Sequence, residues 1–131
     1  MARIMLVDDS PIVVAVLTDF LRKEGHDVEA VTTPFGVTNR VAECRPDVLL
    51  MDLGLPGLNG ETLLRLVQRA QPEVRKIVVS SAGEGTMKRL LQDGLADDYF
   101  MKGSDLQNLS GKIDRLLRDR SAREFSRTAC A

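Results

Sequence analysis

The 131 residues of this chain are enough for one domain with a single hydrophobic core, and its 44% hydrophobic and 28% charged residues are ordinary for a globular protein. A net charge of −1, the lack of an apolar run near the roughly 20 residues that span a bilayer, and the lack of a signal peptide argue against nucleic-acid binding, membrane insertion and secretion. The two cysteines, Cys44 and Cys130, do not suggest a structural disulfide, so we expect a reduced, cytoplasmic protein.

Short apolar runs alternate along the chain with segments of helical periodicity. The predicted strands are 3–7, 27–31, 48–51, 76–80 and 98–101. The predicted helices are 11–24, 34–44, 61–70, 87–92 and 105–118. Five βα units of this kind predict an α/β fold, a doubly wound parallel sheet in three layers with right-handed crossovers and helices on both faces.

Residue types within these elements lead to further local expectations. The second strand alternates apolar with charged residues, which is typical of an edge strand. Thr32 or Thr33 is the expected cap of the second helix, and Ala42 is expected to face inward. Leu66 is expected on the buried side of the third helix. The glycines on either side of Glu84 indicate a flexible link before the fourth helix.

Polar residues follow four of the apolar runs. Asp8 and Asp9 follow the first strand, and Asp52 follows the third. Two serines, the second of them Ser81, end the fourth run, and Lys102 ends the fifth. Because sites in open parallel sheets form beyond the carboxyl ends of the strands, three carboxylates, a hydroxyl and an ammonium are predicted to meet at one edge.

The chemistry of this set indicates a metal and a phosphoryl group. Three carboxylates at close range raise one another's pKa unless a cation neutralises them. An all-oxygen cluster favours a hard divalent ion, so we expect Mg²⁺, with Mn²⁺ as a substitute. Because Mg²⁺ usually works with phosphate oxygens, Lys102 and a serine hydroxyl are candidates for holding phosphate. A carboxylate beside Mg²⁺ can itself attack phosphorus and form an aspartyl phosphate.

In their order and spacing these residues resemble the receiver domain of two-component response regulators. The resemblance rests on the acidic pair Asp8-Asp9, on Asp52 with its glycine- and proline-containing loop, on Ser81-Ala82 and on Lys102. It implies a receiver domain over residues 1–118, followed by a tail, 119–131, that we expect to be frayed helix or disordered. The implied fold is flavodoxin-like, with strand order 2-1-3-4-5.

The resemblance also implies a role for each residue that would contact the metal. Asp52 looks like the phosphoacceptor and a metal ligand. Asp9 looks like a direct ligand of Mg²⁺, and Asp8 a ligand through water. The backbone carbonyl of Gly54 would complete the protein ligands.

Other residues would contact the phosphoryl group. Ser81, rather than the serine before it, matches the switch hydroxyl because Ala82 follows it, and Ala82 would bind phosphate through its backbone. Lys102 matches the phosphate-binding lysine, and Tyr99 matches the switch aromatic. Asp52, Lys102 and Ser81 would catalyse the chain's own phosphorylation and dephosphorylation, so the implied protein is a switch rather than a metabolic enzyme.

The implied function is a signalling switch that accepts a phosphoryl group on Asp52 from a histidine kinase or a phosphotransfer protein. Phosphorylation would draw Ser81 inward, turn Tyr99 in behind it, and repack the surface of the fourth helix, fifth strand and fifth helix for a downstream protein target. Asp114 lies where the DNA-binding subfamily commonly has a basic residue. This argues against that subfamily's dimer, and we expect a monomer or a weak dimer.

One departure from the family and two alternatives stay open. Lys102 is followed by Gly103, where the family usually has a proline in a cis peptide, so the geometry of that turn is undecided. A pseudo-receiver that binds proteins without being phosphorylated is the alternative that Gly103 favours and the complete set of site residues opposes. A flavin-binding or phosphatase domain is disfavoured because Asp8-Asp9-Ser10 offers neither a phosphate-cradling loop nor two aspartates in alternate positions.

Overall fold

The computed structural model describes residues 2–33, 35–54, 59–81 and 84–130, and within them five strands alternate with five helices. The strands are β1 (Arg3–Val7), β2 (Asp27–Val31), β3 (Val48–Asp52), β4 (Arg75–Ser80) and β5 (Asp98–Met101). The helices are α1 (Pro11–Lys23), α2 (Val37–Cys44), α3 (Gly60–Ala70), α4 (Glu84–Gln92) and α5 (Leu106–Cys130).

The strands form one parallel sheet in the order β2-β1-β3-β4-β5. This confirms the predicted doubly wound α/β fold and its strand order. β2 lies at an edge of the sheet, as its alternating sequence predicted, and β5 lies at the other edge. The three inner strands carry the acidic residues and the serines of the predicted site, so their carboxyl ends lie side by side.

Two apolar clusters fill the space between the sheet and the helices, one on each face. On one face α1 and α5 pack against residues such as Ile4 and Leu6, and on the other α2, α3 and α4 pack against residues such as Met5 and Val7. Because successive side chains of a strand point to opposite faces, the unbroken apolar runs of the inner strands serve both clusters.

The ends of α1 agree with the residue types found there. The Ser10 hydroxyl accepts a hydrogen bond from the Val13 N–H at 3.4 Å, and Pro11 occupies the first helical position, where a missing N–H costs nothing. Gly25, just after the helix, has a φ of 93°, a conformation that glycine adopts without strain.

Two helices begin at positions that the sequence pattern did not predict. α2 begins at Val37 after Gly36, whose φ is 80°, so the expected cap at Thr32 or Thr33 was wrong. A left-handed glycine turns the chain into the helix without a side-chain cap. α4 begins at Glu84, three residues before the predicted start, so the expected flexible link is helical from there onward.

The buried sides of α2 and α3 also differ in part from the expectation. Ala42 is exposed, and Leu66 is 45% exposed, whereas Leu64 is completely buried. A Cβ at Gly60 would lie 3.4 Å from the Leu53 Cα, so the first turn of α3 lies against that backbone. This close approach helps to set the rotation of α3, which directs Leu64 rather than Leu66 toward the sheet.

α5 continues to Cys130, beyond residue 118, where the predicted helix ends. The division of the chain into a domain and a tail at that residue stays a prediction. None of the helices in the described part of the chain combines the length and the apolar character that crossing a membrane requires.

Two alanine substitutions in α3 test its rotation. Leu64→Ala should lower the free energy of unfolding by about 2–5 kcal/mol, because it leaves a cavity under the sheet. Leu66→Ala removes a side chain that is 45% exposed and should change it by no more than about 0.5 kcal/mol. Urea unfolding of both variants beside the wild type makes the comparison, and equal losses would contradict the rotation described here.

Candidate functional site

The register of the sheet brings two of the predicted acidic residues together. Val7 of β1 pairs with Met51 of β3, so the residues that follow them, Asp8 and Asp52, lie side by side at the carboxyl ends of the two strands. The Asp8 N–H donates to the Val31 carbonyl at 3.1 Å, which continues the contact of β1 with β2 by one residue. The backbone alone therefore places these two carboxylates at one edge.

Three carboxylates converge at this edge. One oxygen from each of Asp8, Asp9 and Asp52 lies within 4.8 Å of the others. Asp8 is completely buried and Asp52 is 6% exposed, whereas Asp9 is exposed. Two buried carboxylates and one that reaches solvent form a cluster open on one side.

Lys102 provides the positive charge that faces this cluster. Its Nζ donates a hydrogen bond to Asp52 Oδ2 at 3.1 Å and lies 3.3 Å from Asp8 Oδ2. Burial lowers the pKa of Lys102, but the hydrogen bond to Asp52 and the charges of Asp52 and Asp8 together outweigh burial, and the pKa lies above its ordinary value. The ammonium is therefore protonated throughout the neutral range.

Backbone N–H groups hold the second oxygen of each buried carboxylate. The Ser10 N–H donates to Asp8 Oδ1 at 2.9 Å, and the Gly54 N–H donates to Asp52 Oδ1 at 2.9 Å. Each carboxylate thus has one oxygen on the backbone and one facing Lys102, which fixes its plane. Gly54 contacts the site through its N–H, and the metal-binding role of its carbonyl stays a prediction.

The residues present fit a hard divalent cation. The donor set consists of carboxylate oxygens, which suit Mg²⁺ and Mn²⁺. Asp8 Oδ2 is buried and accepts no hydrogen bond within the described part of the chain, although the Lys102 ammonium lies near it. Three carboxylates against one ammonium leave an excess of negative charge, so a further cation would be attracted to the same oxygens.

A tight turn after β5 positions Lys102. The Lys102 N–H donates to the Ser80 carbonyl at 3.0 Å, and the Ser104 N–H donates back to the Met101 carbonyl at 3.1 Å. Gly103, the third residue of this turn, has a φ of 91°, as the third position of a type II turn requires. Proline cannot adopt this φ. The described residues contain no cis peptide bond, so this chain builds the turn with glycine instead.

The remaining predicted residues lie at or near the same edge. Ser81 is exposed and is the first residue after β4, two positions beyond Val79, which pairs with Asp52. Ala82 lies outside the described residues. Tyr99 is half-buried in β5, three residues before Lys102, and packs against the cluster that holds α4. The roles assigned to these residues stay predictions.

A second ionic cluster, which the sequence reasoning missed, lies at the other end of β5. Asp98 is 4% exposed and accepts hydrogen bonds from Lys112 Nζ at 3.1 Å, from Arg115, and from the Tyr99 N–H at 2.8 Å. The signal was the spacing of Lys112 and Arg115, three residues apart on one side of α5. Without the fold, nothing indicated that Asp98 would be their partner.

Residues 4–114 match the family model of the response regulator receiver domain. The chain is 38% identical over 120 residues to protein PilH of Pseudomonas aeruginosa, a match that covers 89% of this chain and 98% of PilH. It is 34% identical over 116 residues to the DNA-binding response regulator MtrA of Mycolicibacterium smegmatis, a match that covers 88% of this chain and 50% of MtrA.

Solved structures show the same fold. The CheY-like receiver domain protein of Methanospirillum hungatei superposes with a TM-score of 0.87 at 25% identity, over 94% of this chain and 98% of that one. The chain therefore spans about half the length of the MtrA relatives it matches and nearly all of PilH.

Replacing Lys102 tests the balance of charge in the site. Lys102→Met should lower stability in the absence of Mg²⁺ by about 1–3 kcal/mol, because two buried carboxylates lose a charged hydrogen-bond partner. Added Mg²⁺ should then stabilise the variant more than the wild type, because the ion no longer competes with the ammonium. Urea unfolding with and without MgCl₂ measures both effects.

Lys23→Met is the matched control, because the Lys23 side chain is 74% exposed and is paired with Asp19 on the surface of α1. It should leave both the stability and the response to Mg²⁺ near those of the wild type. If Lys102→Met responded to Mg²⁺ no more strongly than Lys23→Met, the ammonium and the cation would not share the carboxylates.

Proposed function

Because the chain belongs to the response regulator receiver domain family of two-component systems, we propose that it is a signalling switch phosphorylated on Asp52 by a histidine kinase or a phosphotransfer protein. One observation carries the proposal. The buried Asp52 carboxylate lies beside Asp8 and Asp9, with one oxygen held by the Gly54 N–H and the other by the Lys102 ammonium. This is an acceptor surrounded by the groups that a phosphoryl transfer needs.

In the proposed transfer an Asp52 oxygen attacks the phosphorus of a phosphohistidine. The new O–P bond forms as the N–P bond breaks, and the electron pair of that bond stays on the donor's imidazole. The backbone N–H of Gly54 fixes the plane of the attacking carboxylate, and this keeps the free lone pairs of Asp52 in one orientation for attack on the phosphorus. Lys102 exchanges a carboxylate oxygen for a phosphoryl oxygen and neutralises part of its charge.

The metal would be held by Asp8, Asp9 and Asp52, with the Gly54 carbonyl as a further ligand. When bound, Mg²⁺ supplies positive charge that lets a carboxylate and a phosphoryl group approach each other. Asp8 Oδ2, which is buried and has the Lys102 ammonium 3.3 Å away, is one of the oxygens that would take part in this site. The exposed Asp9 forms the side of the cluster from which a cation would enter.

The product of the reaction is a changed surface. We assign Ser81 as the hydroxyl that binds the phosphoryl group, with the Ala82 backbone beside it, and Tyr99 as the ring that moves in response. The readout surface consists of α4, β5 and α5, where a downstream protein would bind. The chain would catalyse only its own phosphorylation and dephosphorylation.

An apolar groove beside the site is suited to the donor. Its volume is about 250 Å³, and it lies between α1 and the turn after β5, with Lys102 and Gly103 in its wall. Ile12 and Val16 border it and are 76% and 50% exposed. Because Lys102 also contacts Asp52, a protein that brings its phosphohistidine to Asp52 would cover this groove as well.

The output of the switch is also a proposal. Half of the MtrA sequence lies outside the match, and DNA binding is stated for that protein alone. For this chain we propose an output through protein–protein contacts, as a monomer or weak dimer in the cytoplasm, with no direct nucleic-acid binding. The net charge of −1 supports that part of the proposal.

A pseudo-receiver is the second candidate, because Gly103 replaces the family's proline and gives the turn a different backbone. It would bind a partner without phosphorylation. The arrangement of Asp8, Asp52 and Lys102 favours the phosphorylated switch, since a constitutive module has no need of buried like charges.

Incubation with Mg²⁺ and acetyl phosphate decides between the two. Mass spectrometry of the intact chain should show the mass of one added phosphoryl group, which is absent in Asp52→Asn and in the presence of a chelator. Asp93→Asn, on the surface after α4, is the matched control and should be phosphorylated like the wild type. If the wild type gained no mass and bound no beryllofluoride, the pseudo-receiver would be the better account.

A further inference from the structure

One side chain of α5 contacts both a buried carboxylate and the only tyrosine. Lys112 Nζ lies 5.1 Å from the centroid of the Tyr99 ring, within the range of a cation–π interaction. The same Nζ donates to Asp98 Oδ1 at 3.1 Å. Asp98 is 4% exposed, so its carboxylate holds the Lys112 ammonium close to the Tyr99 ring.

The path of Lys112 shows on which side of the strand the ring lies. Tyr99 packs against the cluster on the α4 face of the sheet, whereas α5 packs on the opposite face. Because β4 pairs with one side of β5, the free edge of β5 is the open side past which a side chain from α5 can reach this ring. The ring is therefore directed toward that edge and away from Ser81, which follows β4.

We propose that Lys112 is a positioning residue that holds Tyr99 in its outward orientation and so sets how readily the switch responds. The consequence for switching rests on the proposed function, but the contact itself does not. With its Nζ held on Asp98, Lys112 cannot follow the ring inward, and the cation–π contact is lost when Tyr99 turns. A partly exposed contact of this kind changes a conformational ratio by about two- to fivefold.

Arg115 provides a matched control for this role. Its guanidinium pairs with Asp98 Oδ2, whereas the described ring contact of Tyr99 is with Lys112. Removing either cation leaves Asp98 with the other cation and with the Tyr99 N–H. A general effect of weakening the Asp98 cluster should therefore appear when either Lys112 or Arg115 is replaced. An effect that acts through the Tyr99 ring should appear only when Lys112 is replaced.

The composition of the chain makes Tyr99 directly observable. Because it is the only tyrosine in the sequence, labelling with 3-fluorotyrosine gives one ¹⁹F resonance. In the 131-residue chain, Lys112→Gln should shift this resonance. Lys112→Arg, which keeps the cation, and Arg115→Gln should leave it near the wild-type position. An unshifted Lys112→Gln resonance, or an equal shift in Arg115→Gln, would overturn the proposal.

A titration with beryllofluoride and Mg²⁺ tests the effect on switching. Lys112→Gln should reach half-saturation at an approximately two- to fivefold lower beryllofluoride concentration than the wild type, and Arg115→Gln should match the wild type. Equal midpoints in all three proteins would overturn the role in switching. If beryllofluoride left the ¹⁹F resonance unchanged in all three proteins, the proposed movement of Tyr99 would be contradicted. The resonance shifts measured without beryllofluoride would still decide whether Lys112 holds the ring.

Discussion

The contact of the Lys102 ammonium with the carboxylates of Asp8 and Asp52 is the interaction on which the site depends. Two buried carboxylates with Asp9 beside them repel one another in surroundings of low dielectric constant, and one ammonium offsets only part of that repulsion. In the proposed function the excess negative charge attracts a divalent cation, and a phosphoryl group then takes the place of a carboxylate oxygen on the ammonium. The fold holds the two carboxylates in place, because β1 and β3 are adjacent inner strands of the sheet.

Much of this arrangement could be predicted from the sequence, for a physical reason. Apolar runs buried on both faces suit a parallel sheet, and a parallel sheet brings every carboxyl end to one edge. Residues far apart in the chain, such as Asp8 and Asp52, were therefore expected to meet before any distance was known. The register of β1 with β3 places them side by side, and Lys102, after the edge strand, faces both.

Other features depend on contacts that no sequence pattern expresses. The first turn of α3 lies against Leu53 at Gly60, and Leu64 is buried where periodicity favoured Leu66. The replacement of the family's proline by Gly103 can be read from the sequence, whereas the positive φ of Gly103 can be read only from the backbone. Lys112 of α5 contacts both Asp98 and Tyr99 of β5. In the sequence of either element alone, Asp98 and Lys112 look like ordinary charged residues.

The most direct test of the central claim is a crystal structure of the protein with Mg²⁺ and beryllofluoride. The account predicts beryllofluoride on an Asp52 oxygen, a metal ion among the carboxylates of Asp8, Asp9 and Asp52, and the Lys102 ammonium moved from Asp8 to a fluoride. A structure in which Lys102 still joined Asp8 to Asp52, with beryllofluoride elsewhere or absent, would contradict it.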